Sequence, residues 1–316
     1  VGEKAQQPKY AYYKGEIVPF EQATISVMNH TFNYGTGAFG GLRGYWNEDE
    51  EQLFVFRPLD HFKRVLNSAK MLMFKLDYTP EQLTDALLEL LRTEGYRENI
   101  YIRPVIYVST DKIGVRLHEL EYDVTIFSIP FGSYIPNEEG CSVTFSSWRR
   151  IDDNAIPARG KIIGAYANSA LIKSDAELAG FDEALVLNED GHIAEGSAAN
   201  FFLVRDGVVY TPPITANVLE GITRRTIMQV MREDMGLEVV ERPIDRTEVF
   251  IADEAFFCGT GVQVVAIATV DHRPVGTGKL GPVVRELRDR YFDIVSGRDE
   301  KYRHLTQPVY EAVPAR

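Results

Sequence analysis

Two segments of the chain carry residue types that can do covalent chemistry. Arg159-Gly160-Lys161-Ile162-Ile163-Gly164-Ala165-Tyr166 sets one lysine among small and apolar residues, and Ile193-Ala194-Glu195-Gly196-Ser197-Ala198-Ala199-Asn200-Phe201 sets one glutamate in a Gly/Ala-rich stretch further on. A lysine amine becomes a covalent handle for a carbonyl cofactor where its surroundings favour the neutral form, and a separate carboxylate can hold a pyridinium nitrogen protonated. Such a pair suits pyridoxal phosphate chemistry. Spacing alone also describes an ordinary solvated loop lysine, so the weight falls on the rest of the chain.

A phosphate would need outward-pointing backbone N–H groups, as at a helix N-terminus. Leu219-Glu220-Gly221-Ile222-Thr223 immediately precedes a helical pattern and adds a hydroxyl, and Gly259-Thr260-Gly261 is a glycine-flanked turn after a strand. Each alone also reads as a plain cap or strand-end turn. Arg57, between a strand and a helix, is a candidate bidentate partner for the same phosphate. In Tyr101-Ile102-Arg103-Pro104, strand alternation sends Tyr101 and Arg103 to one face, where they suit a carboxylate. Gly35-Thr36-Gly37-Ala38-Phe39-Gly40 matches the G-x-G-x-x-G spelling of dinucleotide folds. No buried strand precedes it, though, and no helix opens after it. Its glycines instead let backbone and the aromatic rings of Tyr34 and Phe39 approach a ligand closely.

The elements that must position these residues are legible from periodicity. The sequence predicts a strand over Gln52 to Phe56 and a helix over about Leu59 to Phe74 with Phe62, Leu66, Ala69 and Met73 on its apolar face. The next helix has Thr79 as N-cap, Pro80 at its first position and Gln82 three residues after the cap, with Gly95 at its end. Strands follow over Tyr101 to Ser109 and Tyr122 to Phe131, then a connector. A strand over Ser142 to Trp148 and a helix over Tyr166 to Ala179 come next, followed by two hairpins turning at Glu189-Asp190-Gly191 and Arg205-Asp206-Gly207. A helix over Thr223 to Met235, strands over Glu238 to Arg242, Glu254 to Cys258 and Val262 to Val270, and a helix over Leu280 to Val295 complete the pattern. Mixed strands and helices without regular βαβ alternation indicate an α+β fold with mixed or antiparallel sheets and flanking helices. The expected division is a small N-terminal α/β domain over 1–132, a connector over 133–140 and a large domain over 141–316.

Composition narrows the function classes. A chain of 316 residues with 45% hydrophobic and 25% charged residues is ordinary globular material, long enough for two cores. A net charge of -12 with only short basic runs, such as Trp148-Arg149-Arg150, argues against nucleic acid. No apolar run approaches the roughly 20 residues that span a bilayer, and the polar start, Val1 to Tyr10, does not read as a leader. A cytoplasmic protein is therefore expected. Cys141 and Cys258 are far apart in sequence and the six histidines are scattered, so neither a disulfide framework nor a metal site is expected.

The quoted segments, taken in order, resemble those of the branched-chain amino acid aminotransferases, within fold type IV of the pyridoxal phosphate enzymes, and the resemblance covers nearly the whole chain. It rests on Asn33-Tyr34-Gly35-Thr36-Gly37-Ala38-Phe39, Tyr101-Ile102-Arg103-Pro104, the Lys161 segment, Glu195-Gly196 with Asn200-Phe201, Leu219-Glu220-Gly221-Ile222-Thr223-Arg224, and Gly259-Thr260. It implies that the large domain binds pyridoxal 5′-phosphate. Lys161 would be the covalent and catalytic lysine, Glu195 the partner of the pyridine nitrogen and Tyr166 that of the phenolic oxygen. Arg57, Ile222, Thr223 and Thr260 would hold the phosphate. The Thr260-Gly261 turn near Tyr101 would take the α-carboxylate, and Tyr34 and Arg103 the distal carboxylate of glutamate. Phe39, Tyr134, Ile113 and Val115 would shape an apolar side-chain pocket, the last two across the interface of a homodimer with shared active sites. The implied activity is ping-pong transfer of an amino group between Leu, Ile or Val and 2-oxoglutarate.

One departure stands out. The family usually has Glu after Phe in the first block, where this chain has Gly40, which is expected to widen acceptance toward amines. The rival readings are D-amino acid or (R)-amine transaminases and aminodeoxychorismate lyases on the same fold, and, from another class, an NAD-dependent oxidoreductase.

Overall fold

The computed structural model of the chain describes residues 6–132 and 140–311. Tyr134, expected in the side-chain pocket, lies outside these residues. In chain order the first elements are β1 (Tyr10–Tyr13), β2 (Glu16–Pro19), α1 (His30–Tyr34), β3 (Gly37–Phe39), β4 (Leu42–Asn47), β5 (Gln52–Phe56), α2 (Pro58–Met71), α3 (Pro80–Glu94), β6 (Ile100–Val108) and β7 (Tyr122–Pro130). They continue with β8 (Cys141–Arg149), α4 (Tyr166–Leu178), β9 (Glu183–Leu187), β10 (Ile193–Gly196), β11 (Asn200–Arg205), β12 (Val208–Thr211) and α5 (Ile222–Glu233). The last are β13 (Glu238–Glu241), β14 (Glu254–Gly259), β15 (Gln263–Val270), β16 (Arg273–Pro274), α6 (Pro282–Val295) and β17 (Thr306–Pro308). Two compact units result. Among the described residues one comprises 6–132, Gly160–Gly164 and 292–311, and the other 140–159 and Ala165–Tyr291.

The first unit is built on an antiparallel sheet in the order β17-β5-β4-β6-β7-β1-β2, with β3 also paired to β6. Along β6 buried and half-buried residues alternate, as a strand with one face on a core requires. Helix α3 starts where the sequence places it: Thr79 accepts from the Gln82 N–H while the Gln82 side chain accepts from the Thr79 N–H, and Gly95 ends it in a left-handed conformation. Its Leu83, Leu87, Leu90 and Leu91 are buried. Helix α2 departs from expectation. It ends at Met71 rather than near Phe74, and its buried face is Phe62, Val65, Ser68 and Ala69, not Leu66 and Met73. The cause is a Schellman closure: Phe74 N and Met73 N donate to Ala69 O and Lys70 O with Met73 at φ 62, which turns Met73 outward.

The second unit is organised by a sheet in the order β10-β9-β8-β15-β14-β11-β12-β13. Strand β10 also pairs with β11, which closes a ring of six strands, β10-β9-β8-β15-β14-β11. Both predicted hairpins form, β9 with β10 and β11 with β12, each antiparallel. The parallel pairs β8 with β9 and β12 with β13 are joined through α4 and α5. Val143, Leu185, Phe201, Leu203, Phe257 and Ile267 fill its core. The fold is α+β, as the order of strands and helices in the sequence indicates. Among the described residues no helix is long and apolar enough to cross a membrane, and no cluster of His, Cys, Asp and Glu suits a metal ion.

Candidate active site

In the first unit the lysine segment lies beside β3, joined to it by an isolated antiparallel bridge between Ile162 and Ala38. Phe39 N donates to Lys161 O at 3.0 Å, Lys161 N donates to Ser68 Oγ at 3.0 Å and Gly164 N donates to Gly35 O at 3.0 Å. Gly35 is required at this crossing: its φ is +66, and a Cβ there would lie 2.9 Å from Gly164 Cα. So fixed, Lys161 Nζ stands 5.0 Å from the centre of the Phe39 ring. Arg103 meets the same ring, its guanidinium lying 4.6 Å from the centre.

Tyr101 and Arg103 do share one face of β6. Arg103 Nε and Nη2 donate to Tyr101 Oη at 3.2 and 3.0 Å. Gly41 leaves room for that phenol, since a Cβ there would sit 2.4 Å from Tyr101 Oη. Gly40 leaves room in turn for Pro104, whose Cγ would lie 2.7 Å from a Cβ at position 40. Arg57 caps α2 with a left-handed backbone, φ 48, a strained conformation of the kind found where a side chain must be aimed. Its N–H donates to Leu305 O and its Nε to Asp60 Oδ2, both at 2.7 Å. Tyr34 closes α1, while Ile113 and Val115 stand exposed at 64% and 77% on the loop after β6.

In the second unit Glu195 is buried and anchored from several sides. Arg150 Nη2 lies 3.0 Å from Oε1, Asn200 Nδ2 donates to Oε2 at 3.0 Å and Leu219 N donates to Oε2 at 3.3 Å. Asn200 Nδ2 also donates to Leu219 O at 2.9 Å, which ties the glutamate to the segment opening α5. Gly221 is needed there, because a Cβ would fall 2.1 Å from Asn200 Oδ1. Helix α5 then begins with Ile222 and no side-chain cap. Thr223, 2% exposed, has a buried hydroxyl with no hydrogen-bond partner among the described residues. A buried hydroxyl without a partner costs free energy, and at an uncapped helix start it is placed where an anion could accept from it. Asn200 pairs with Cys258 across β11 and β14, and Gly259 packs against Ala198 and Ala199, which sets the Thr260-Gly261 turn just beyond. Tyr166 is the first residue of α4.

Arg150 and Ser68 are the contributors that sequence reasoning overlooks. Arg150 is hidden in a basic run that reads as surface, although it is nearly buried on Glu195 and its Nε donates to Asn217 O at 3.0 Å. Gly35 to Gly40 runs from a helix end into β3, the reverse of a strand-to-helix dinucleotide loop, so the oxidoreductase reading has no structural basis.

A family model described as amino-transferase class IV matches residues 41–270. A probable branched-chain-amino-acid aminotransferase of Aquifex aeolicus is 41% identical over 302 residues, 96% of this chain and 97% of that protein. The crystal structure of a branched-chain aminotransferase from Thermoproteus uzoniensis with norvaline superposes with a TM-score of 0.92 at 40% identity, covering 96% of this chain and all of that one. A branched-chain amino acid aminotransferase of T.th., complexed with N-(5′-phosphopyridoxyl)-L-glutamate, gives a TM-score of 0.90 at 38% identity over 96% of this chain and 99% of that one. Shared sequence, shared fold and the features above converge, and the chain belongs to the class IV aminotransferases.

Proposed function

We propose that the protein is a pyridoxal 5′-phosphate-dependent transaminase that exchanges the amino group between branched-chain L-amino acids and 2-oxoglutarate. The observation that carries this reading is the partnerless buried hydroxyl of Thr223 at the uncapped start of α5, next to the segment whose Leu219 amide holds the Glu195 carboxylate. An anion site and a fixed carboxylate on one piece of backbone fit the two ends of a phosphorylated pyridine. The solved relative complexed with a phosphopyridoxyl-glutamate supports both the cofactor and the glutamate couple. When bound, the cofactor supplies the electron sink for the pair left behind by the departing α-proton.

The chain's own residues do the rest. Lys161 would anchor the cofactor at rest and, once the substrate's amine has displaced it, its freed Nζ would take the α-proton. Glu195, fixed by Arg150, Asn200 and Leu219 N–H, holds the positive charge on the ring nitrogen. Thr223, Ile222 N–H, Thr260 and Arg57 hold the phosphate, and Tyr166 the phenolic oxygen. Thr260, Gly261 and Tyr101 receive the α-carboxylate. Arg103, stacked on Phe39, receives the distal carboxylate of glutamate together with Tyr34, while Phe39, Ile113, Val115 and Tyr134 accommodate a leucine side chain. Because both substrates would use the same residues in turn, the first keto acid would have to leave before the second substrate binds.

The working assembly is a homodimer in the cytoplasm. Val27 and Phe32, exposed at 79% and 67%, adjoin the loop that bears Ile113 and Val115 through the Asn29 to Asp111 bridge, an apolar surface suited to a second copy. The test is turnover of leucine with 2-oxoglutarate by the purified protein supplied with pyridoxal phosphate. The expected result is ping-pong kinetics that Lys161→Ala reduces by at least about a hundredfold while leaving the circular dichroism unchanged. Unimpaired turnover in Lys161→Ala would refute the assignment.

A further inference from the structure

His30 is the first residue of α1 and is fully buried, 0% exposed. Its Nε2 lies 2.7 Å from Gly114 O and its Nδ1 2.6 Å from Thr36 Oγ1. A carbonyl oxygen only accepts, so Nε2 carries the hydrogen that binds Gly114 O, while Nδ1 pairs with the Thr36 hydroxyl. The neighbouring Tyr34 ring is tilted against it with centroids 4.8 Å apart, and Tyr34 Oη accepts from Gly114 N at 3.0 Å. Both polar groups of Gly114, its N–H and its C=O, are thus held by two touching rings of one short helix.

Gly114 needs holding. Its φ of +131 is a conformation that L side chains rarely adopt, and these two side-chain bonds fix the loop tip in it. The base of the loop is tied to the same helix: Asn29 Nδ2 donates to Val108 O at 2.7 Å, and Val108 N donates to Thr31 Oγ1 at 2.8 Å. A leucine in place of His30 would fill similar space but leave Gly114 O without its donor. Ile113 and Val115, on either side of Gly114, move with it.

We propose that His30 is a positioning residue for the substrate side-chain pocket, fixing Tyr34 and the Ile113–Val115 loop as one rigid piece through Gly114. This rests on the reading above that Tyr34, Ile113 and Val115 meet the substrate. His30 touches no reacting atom, so its loss acts on binding geometry rather than on the proton transfer at Lys161.

The experiment compares three variants of the cofactor-loaded enzyme. His30→Gln keeps an amide nitrogen able to reach Gly114 O, His30→Asn reaches only Thr36, and His30→Leu reaches neither. The expected result is a KM for leucine raised about tenfold in the Asn and Leu variants with kcat changed less than about threefold, and values near wild type for Gln. Hydrogen exchange over residues 108–116 should quicken in Asn and Leu and not in Gln. A Gln variant as impaired as Asn, or Asn and Leu variants with unchanged KM and unchanged exchange, would overturn the role of His30. Absence of leucine turnover in the wild-type chain would instead overturn the reading of the site on which it rests.

Discussion

At Thr223 and Gly40 single atoms carry the local chemistry and packing. A hydrogen bond to a charged group contributes about 1.5–3 kcal/mol, so Thr223→Val should weaken retention of pyridoxal phosphate about tenfold or more, read by dialysis and absorbance. Retention equal to wild type would remove Thr223 from the phosphate site. Gly40 is tied to Pro104 twice, through its N–H to Pro104 O at 2.8 Å and through the space a Cβ would need, 2.7 Å from Pro104 Cγ. Placing a glutamate here therefore overpacks the strand. Gly40→Glu should lose about 1–3 kcal/mol in urea unfolding, and adding Pro104→Ala should recover much of it. Additive losses would show that the two positions are independent. Strand alternation made the shared face of Tyr101 and Arg103 legible in the sequence, whereas spacing alone left Lys161 and Glu195 open to a plain loop reading. Arg150 was not legible, because nothing in Trp148-Arg149-Arg150 says which arginine turns inward onto Glu195.

At the scale of elements, local signals with a complete mechanism predicted structure best. Thr79, Pro80, Gln82 and Gly95 specify both ends of α3, and both hairpin turns place their strands. Thr79→Ala should cost about 1 kcal/mol of stability, measured by denaturant unfolding. The end of α2 was less legible, since its Schellman closure puts Met73, rather than glycine, in the left-handed position. The pairings of β1 with β7, β3 with β6 and β11 with β14 are long-range, and periodicity does not encode them. Gly221 joins element to site. Gly221→Ala should displace Asn200, loosen Glu195 and cut kcat at least about tenfold in a folded protein, because the new Cβ would fall 2.1 Å from Asn200 Oδ1.

At the scale of the whole molecule, charge placement sets the response to pH. The Arg242 guanidinium, donating two bonds to Glu248, holds that carboxyl below the usual range, and Arg303 does the same for Glu50. A carboxyl whose folded pKa is depressed stabilises the fold above its unfolded pKa, and this contribution is lost as pH falls through the folded value. Asp123 has the opposite sign: burial raises its carboxyl, so its contribution is present in acid and lost as pH rises through the folded value. Glu248→Gln should therefore lower stability near neutral pH and leave it little changed in strong acid, as unfolding curves at the two pH values would show. Both compact units draw on residues that sequence order separates, with Gly160–Gly164 grouped among residues 6–132, a placement that only the folded chain reveals.

We infer a covalent bond between the amine of Lys161 and the aldehyde of pyridoxal phosphate. Borohydride reduction of the loaded protein, followed by peptide mass analysis, tests it directly. The visible absorption band should be lost, and a phosphopyridoxyl mass should appear on the peptide containing Lys161 alone. The modification on another lysine, or a band that survives reduction, would contradict it.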